Sequence, residues 1–294
     1  MTRIGLLGVQ TPLPSMQDSL DLLVGAISQG LGAGVADILI APEYFFSKKP
    51  YRVLTEGMKD QLLARLQELS AGSEMVLIPG SVVYGKLIEY EGHTYSDDGK
   101  CEYLGRGLVS FTNFANAAPI ISSGKLLAFP EKGRARSMDK SHSMDTEDEE
   151  ASGKNFCHFY SNGVLADDFY SLTQKEELGL NSLEKYLRRR TVSVNGKTMV
   201  LEICDDHPLS VDEIKSSKYL IPTFADFQII VSNEFYNHFI TAPENLYLKE
   251  GGVLVECNGR KSWGYVAQLV KGRLETLFDG QIPEGRVEIV EVLG

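Results

Sequence analysis

Apolar and polar positions follow two rhythms along the first half of this chain. Arg3–Thr11 is apolar and strand-like, and Leu20, Leu22, Leu23, Ala26, Ile27 and Leu31 then recur at helical spacing until Gly32 and Gly34 close the element. Ala36–Ala41, apolar but for Asp37, reads as a buried strand, and it ends at Pro42-Glu43-Tyr44. Leu54–Leu69 is helical in period and Met75–Tyr84 strand-like. Such β-α-β alternation implies a sheet covered by helices. From Gly107 consecutive strands take over: Leu108–Phe114, Ala117–Ser122 and, across a Ser-Ser-Gly turn, Lys125–Phe129. Asn195-Gly196 marks a hairpin between Val192–Val194 and Thr198–Ile203. Asp226–Ser232, Gly252–Cys257, Gly264–Val270 and Arg286–Val292 add four strands, with a helix between Val211 and Tyr219. Spread over the full length, this count predicts two packed mixed sheets in one α/β domain, residues 1–294.

Two stretches break the rhythm. Residues 133–156 are polar and charged, including Asp145-Thr-Glu-Asp-Glu-Glu150, and read as a solvated loop. Residues 167–190 carry a helical pattern at Leu178–Leu187 and end in Arg188-Arg189-Arg190, which reads as a helical insertion. Composition adds exclusions. With 43% apolar and 23% charged residues the chain is ordinary for a globular protein. A net charge of -11 disfavours a nucleic-acid phosphate backbone as partner. No apolar run approaches the ~20 residues that span a bilayer, and the N-terminal stretch is too short for a secretory signal. The expectation is a cytoplasmic protein with no membrane partner. Cys101, Cys157, Cys204 and Cys257 lie far apart without a CxxC pair, which argues against a zinc site or disulfide scaffold and for reduced thiols. Gly30-Leu-Gly-Ala-Gly34 closes a helix, whereas a dinucleotide fingerprint opens one.

The segment with most chemistry is Met199-Val-Leu-Glu-Ile-Cys204-Asp205-Asp206-His207-Pro208, an apolar strand that ends abruptly in a cysteine. A thiolate there is a strong nucleophile at neutral pH, and a turn N–H beside it, that of Asp205, can receive a developing oxyanion. Burial as a small hydrophobe is the competing fate of such a cysteine. Glu43 stands at the end of the buried strand Ala36–Ala41, the edge where α/β proteins build active sites. Shielded by Tyr44, Phe45 and Phe46, its carboxylate would be desolvated, its pKa raised toward that of a base for a thiol. A helix cap or a salt bridge to Lys48 or Lys49 is the plainer alternative.

These residues resemble the carbon–nitrogen hydrolase (nitrilase) superfamily, whose members use a Glu-Lys-Cys set on a four-layer α-β-β-α sandwich. Its glutamate motif stands here as Leu39-Ile-Ala-Pro-Glu43, and its cysteine motif as Leu201-Glu-Ile-Cys204-Asp205-Asp206. The lysine motif resembles Asn116-Ala-Ala-Pro-Ile-Ile-Ser-Ser-Gly124-Lys-Leu-Leu-Ala-Phe-Pro-Glu-Lys132. Glu244-Asn-Leu-Tyr and Gly252-Val-Leu-Val-Glu-Cys-Asn258 are similar to the helix and strand that come after the nucleophile. The departures fall on the lysine. Pro130-Glu131 precede Lys132 where the family has an aromatic and a basic residue, and Lys140, in Asp139-Lys-Ser-His142, matches a Lys-x-His pattern. Spacing from the turn favours Lys132, with Lys140 as the alternative. For the second family glutamate, which positions the lysine, Glu147, Glu149 and Glu150 are equal candidates.

The resemblance implies that Glu43 deprotonates Cys204, the thiolate attacks a small-molecule amide, in preference to a nitrile, and a lysine with the Asp205 N–H holds the oxyanion. It calls for no metal and no organic cofactor, and it makes a homodimer or higher homo-oligomer a reasonable expectation. Two other classes stay open: an N-acyltransferase using the same thioester, and a non-catalytic binding or assembly protein on this fold. A Cys204 of ordinary thiol reactivity would favour the last.

Overall fold

The computed structural model describes residues 1–11, 13–32, 36–46, 54–87, 94–95, 101–102, 110–130, 158–161, 164–165, 190–204, 223–233 and 246–293. In chain order, β1 (Thr2–Leu7), α1 (Met16–Gly32), β2 (Ile38–Ala41), β3 (Leu54–Thr55), α2 (Glu56–Ser70), β4 (Val76–Pro79) and β5 (Val82–Leu87) come first. The short β6 (Thr94–Tyr95) and β7 (Cys101–Glu102) pair with each other. Next are β8 (Ser110–Ala117), β9 (Ile120–Ser122), β10 (Lys125–Ala128), β11 (His158–Ser161) and β12 (Val164–Leu165). The last third is almost all strand: β13 (Thr191–Val194), β14 (Lys197–Ile203), β15 (Ala225–Ser232), β16 (Leu248–Asn258), β17 (Trp263–Val270), β18 (Arg273–Gln281) and β19 (Val287–Val292).

Two six-stranded mixed sheets form the frame. The first has the order β10-β9-β4-β2-β1-β19, the second β13-β14-β15-β16-β17-β18. Each has three parallel central strands, β1, β2 and β4 in one and β14, β15 and β16 in the other, flanked by antiparallel neighbours. Alternation along each strand divides the core. Ile4, Leu6, Ile38, Ile40, Val76 and Ile78 of the first sheet meet Met199, Leu201, Ile203, Phe227, Ile229 and Val231 of the second. Residues one step out of phase, Leu7, Leu39 and Leu77, pack under Leu23, Ala26 and Ile27 of α1 and Leu62, Leu63 and Leu66 of α2. Burial on both faces is why these strands read as unbroken apolar runs. The outer face of the second sheet carries its own cluster, with Val200, Ile230, Tyr247 and Leu254. This architecture fits the expected α-β-β-α sandwich.

A third sheet, β12-β11-β8-β5-β3, continues from the first. β4 passes into β5 through Gly80 and Ser81, and β8 into β9 through Ala118 and Pro119, so one antiparallel pairing crosses from sheet to sheet at Val82↔Ala117 and Leu77↔Ile121. The single strand expected over Met75–Tyr84 is thus two, broken where Gly80 takes φ +78°.

Turn chemistry fixes the hairpins. Ser123-Gly124, Asn195-Gly196 and Lys271-Gly272 each hold two successive positive φ angles, the backbone of a two-residue turn whose twist matches the strands it joins. Helix α1 starts at a cap: Ser15 Oγ accepts from the Asp18 N–H at 3.1 Å, and its hydroxyl donates to the Asp18 carboxylate at 2.6 Å. β18 was not foreseen from the sequence, being an exposed edge strand with no apolar run to announce it. β1 stops at Leu7, four residues short of the expected Thr11; beyond it the Gly8 N–H donates to the Arg286 carbonyl and the Gly8 carbonyl accepts from the Gly285 N–H, both at 2.8 Å, where the chain leads into β19. A Cβ at Gly8 would lie 2.5 Å from the Pro283 carbonyl. The polar stretch at 133–156, the insertion at 167–190 save Arg190, and the helix expected at Val211–Tyr219 lie outside the described residues. Among the described residues no helix is long and apolar enough to cross a membrane.

Candidate active site

The parallel strands of both sheets end at one edge of the sandwich, and the two foremost candidates stand there. Glu43 comes directly after β2 and is fully buried. Burying a carboxylate demands polar partners, and Asn116 Nδ2, from the end of β8, donates to its Oε1 at 3.0 Å. Asn116 opens the lysine motif in the sequence, so the motif's first residue touches the motif glutamate.

The backbone around Glu43 is held on all sides. Thr11 Oγ lies 2.8 Å from the Glu43 carbonyl, the Tyr44 N–H donates to Ser81 Oγ at 3.0 Å, and Ser19 Oγ of α1 donates to the Phe45 carbonyl at 2.6 Å. Phe45 and Phe46 are buried edge to face, 5.0 Å between ring centres. Tyr44 is driven to φ +58°, a conformation that side-chain-bearing residues adopt only where the surroundings enforce it. Gly80 permits the close approach: a Cβ there would stand 2.1 Å from the Pro42 carbonyl oxygen.

Cys204, the residue directly after β14, has φ +49° and is buried. Its N–H donates to the Val231 carbonyl of the adjacent β15 at 2.8 Å, so the strand is anchored at the residue where it turns. A non-glycine residue in this region at a strand end costs about 1 kcal/mol or more, and such strain gathers at functional sites. A sharp strand-to-turn elbow presents a nucleophile above the sheet edge instead of burying it within a face.

Cys257, two strands over in β16, contrasts with it. Its Sγ lies across the core from the carbonyls of Leu7, at 3.7 Å, and Ile40, at 3.6 Å, which share its one S–H proton. Burial, reinforced by the neighbouring Glu256 charge and opposed by the Leu7 hydrogen bond, holds its thiol far above the ordinary range. It stays protonated and belongs to the core.

The two edges are joined directly. Thr11 Oγ also lies 2.9 Å from the Asn233 side-chain oxygen just beyond β15, and the Thr11 N–H donates to the Gly259 carbonyl beyond β16 at 3.1 Å. The structure therefore brings Glu43 and Cys204 to the same edge of facing sheets. Lys132, Lys140, Glu147, Glu149, Glu150, Asp205, Asp206 and His207 lie outside the described residues. Thr11, Ser81 and Asn233 were missed from the sequence, where single polar residues beyond strand ends look like any turn residue, and Ser19 because a lone serine in a helix looks like any polar helix position. Among the described residues no cluster of three or more His, Cys, Asp or Glu could hold a metal ion.

No protein-family model matches this sequence, and no curated protein matches it. Solved structures do. An amidase from Nesterenkonia sp. AN1 superposes with a TM-score of 0.54 at 15% identity, over 98% of this chain and 89% of that one. A Cys-to-Ala mutant of that amidase, in complex with butyramide, gives 0.52 at 14% identity over 98% and 90%. Saccharomyces cerevisiae Nit3, a member of branch 10 of the nitrilase superfamily, gives 0.55 at 12% identity over 98% and 88%. The chain has the fold of the nitrilase superfamily.

Proposed function

We propose that this protein is a cysteine-dependent carbon–nitrogen hydrolase that cleaves a non-peptide amide of a small molecule. The observation that carries the reading is the placement, at the same edge of two facing sheets, of a buried, rigidly framed Glu43 and a Cys204 in a strained elbow. The fold neighbours support it: in the structure of a Glu-to-Gln mutant of the Nesterenkonia amidase the acetamide moiety of fluoroacetamide is added to the active-site cysteine.

In the proposed cycle Glu43 takes the Cys204 thiol proton and sulfur forms a bond to the amide carbon. Negative charge moves to the carbonyl oxygen, where Lys132, or Lys140 in its place, and the Asp205 N–H hold it. Collapse breaks the carbon–nitrogen bond, and the proton on Glu43 passes to the departing amine. Water then adds to the thioester carbon, giving its proton to Glu43. The carbon–sulfur bond breaks, the acid leaves, and the proton returns to the thiolate.

The test is intact-protein mass spectrometry after incubation with fluoroacetamide and a panel of simple amides, wild type beside Cys204→Ala. The expected result is an adduct of acyl or acetamide mass on wild type alone. An adduct on both proteins, or on neither, overturns the reading.

A further inference from the structure

The two sheets meet through an apolar core, and apolar packing is non-directional. It holds the sheets together but does not by itself set how one sheet's edge sits over the other's. Directed contacts do that, and Thr11 concentrates them. It lies between β1 and α1, on the first sheet's side, yet its N–H donates to the Gly259 carbonyl beyond β16 of the second sheet. Its hydroxyl lies 2.8 Å from the Glu43 carbonyl and 2.9 Å from the Asn233 side chain. A hydroxyl has one proton; donated to Glu43, it leaves lone pairs to which the Asn233 amide can donate when its nitrogen faces Thr11.

The second-sheet side is equally fixed. The Gly259 N–H donates to the Ser232 carbonyl at 2.9 Å. Ser232 Oγ donates to Glu256 Oε1 at 2.6 Å, and Asn258 Nδ2 donates to the same oxygen at 3.1 Å. A Cβ at Gly259 would lie 1.9 Å from Thr11 Oγ, so the glycine makes room for the hydroxyl. Two residues before Asn233, the Val231 carbonyl accepts the Cys204 N–H. One route therefore runs from the Glu43 carbonyl through the Thr11 hydroxyl and the Asn233 side chain along β15 to the Cys204 backbone.

Resting on the proposed function, we infer that Thr11 is a positioning residue, its hydroxyl setting the Glu43 carboxylate against the Cys204 thiol by joining Glu43 to Asn233. Thr11→Val keeps the shape and removes the hydroxyl; Asn233→Ala cuts the same link from the other side.

The experiment measures the rate of Cys204 alkylation by iodoacetamide from pH 5 to 9. Sulfur displaces iodide in that reaction, and the thiol proton goes to Glu43. Thr11→Val lowers the rate at pH 7 by roughly ten- to a hundredfold, the scale of a small misplacement of reacting groups. Its pH profile shifts toward that of Glu43→Gln, while Thr11→Ser keeps the wild-type profile. Asn233→Ala behaves like Thr11→Val, and the double variant is no worse than either, since both cut one link. Asp226→Asn, at the opposite edge, loses stability and leaves the profile unchanged, which separates positioning from general loosening. A wild-type profile in Thr11→Val, or in Asn233→Ala should Thr11→Val not fold, overturns the inference, as do effects that multiply in the double variant. If Glu43→Gln itself leaves the profile of Cys204 unchanged, the proposed function falls and this inference with it.

Discussion

Two cysteines stand at the ends of apolar stretches in the same sheet, and the structure gives them opposite fates. Cys257 lies in the strand's own alternation, its sulfur against the carbonyls of Leu7 and Ile40. Cys204 is turned out of that alternation by a positive φ. The residues after Cys204 already set it apart: Asp205-Asp206-His207-Pro208 cannot continue a buried strand, so this cysteine had to sit at a turn. A strained backbone retained at a cysteine implies that stability is sacrificed there for placement. Substitution can separate the two. Cys204→Ala keeps the Cβ that makes φ +49° costly, whereas Cys204→Gly relieves it. The glycine variant is therefore expected to be more stable than the alanine variant by about 1 kcal/mol, the reverse of the usual order within a strand. Urea midpoints of the two proteins check this, and an alanine variant at least as stable would show the elbow to be unstrained.

At the scale of elements, the sheet cores were legible and the frame around Glu43 was not. Strands buried on both faces announce themselves as apolar runs, and β2, β14, β15 and β16 were all found that way. β18 escaped because its side chains mostly face water. The break between β4 and β5 escaped because a glycine within an apolar run does not say whether the strand bends. Glu43 and Cys204 were legible as polar groups ending apolar strands. Their partners were not, since contacts such as Thr11 with Asn233, 222 positions apart, exist only in three dimensions. Glycine positions show the same divide. Gly80 and Gly272 both have positive φ, but a Cβ at Gly272 meets nothing within 4 Å, while at Gly80 it collides with Pro42 and Phe45. Gly272→Ala should cost about 1 kcal/mol, the conformational term alone. Gly80→Ala should cost clearly more and also slow Cys204 alkylation, because the clash pushes on the loop that carries Glu43. Equal denaturant midpoints with unchanged alkylation would show that the Pro42–Phe46 loop yields freely.

Across the whole molecule, the strained residues of the candidate site and a cluster of stabilising charge sit at opposite edges of the sandwich. The edge where parallel strands end carries the positive φ angles of Tyr44 and Cys204. The edge where they begin carries Asp226, near the start of β15, which accepts from the Thr198 N–H at 2.8 Å and pairs with Lys249 at 2.8 Å and Lys197 at 3.8 Å. Burial pushes the Asp226 carboxyl upward, the largest single influence. The Lys249 hydrogen bond, the Thr198 N–H and the two lysine charges together outweigh it and hold the group below its ordinary value of 3.8. A carboxyl whose pKa is lower folded than unfolded contributes stability that is complete above the unfolded value and lost as pH falls through the folded one. The lysines are half exposed, so water screens the pairs and the contribution is about 1 kcal/mol. Asp226→Asn should therefore lower the urea midpoint at pH 7. The gap to wild type should close as pH falls through about 4 and vanish below the folded pKa, where both side chains are neutral. A gap that persists at low pH would mean that the asparagine loses packing, not charge, at the edge that holds β14, β15 and β16 in register behind Cys204.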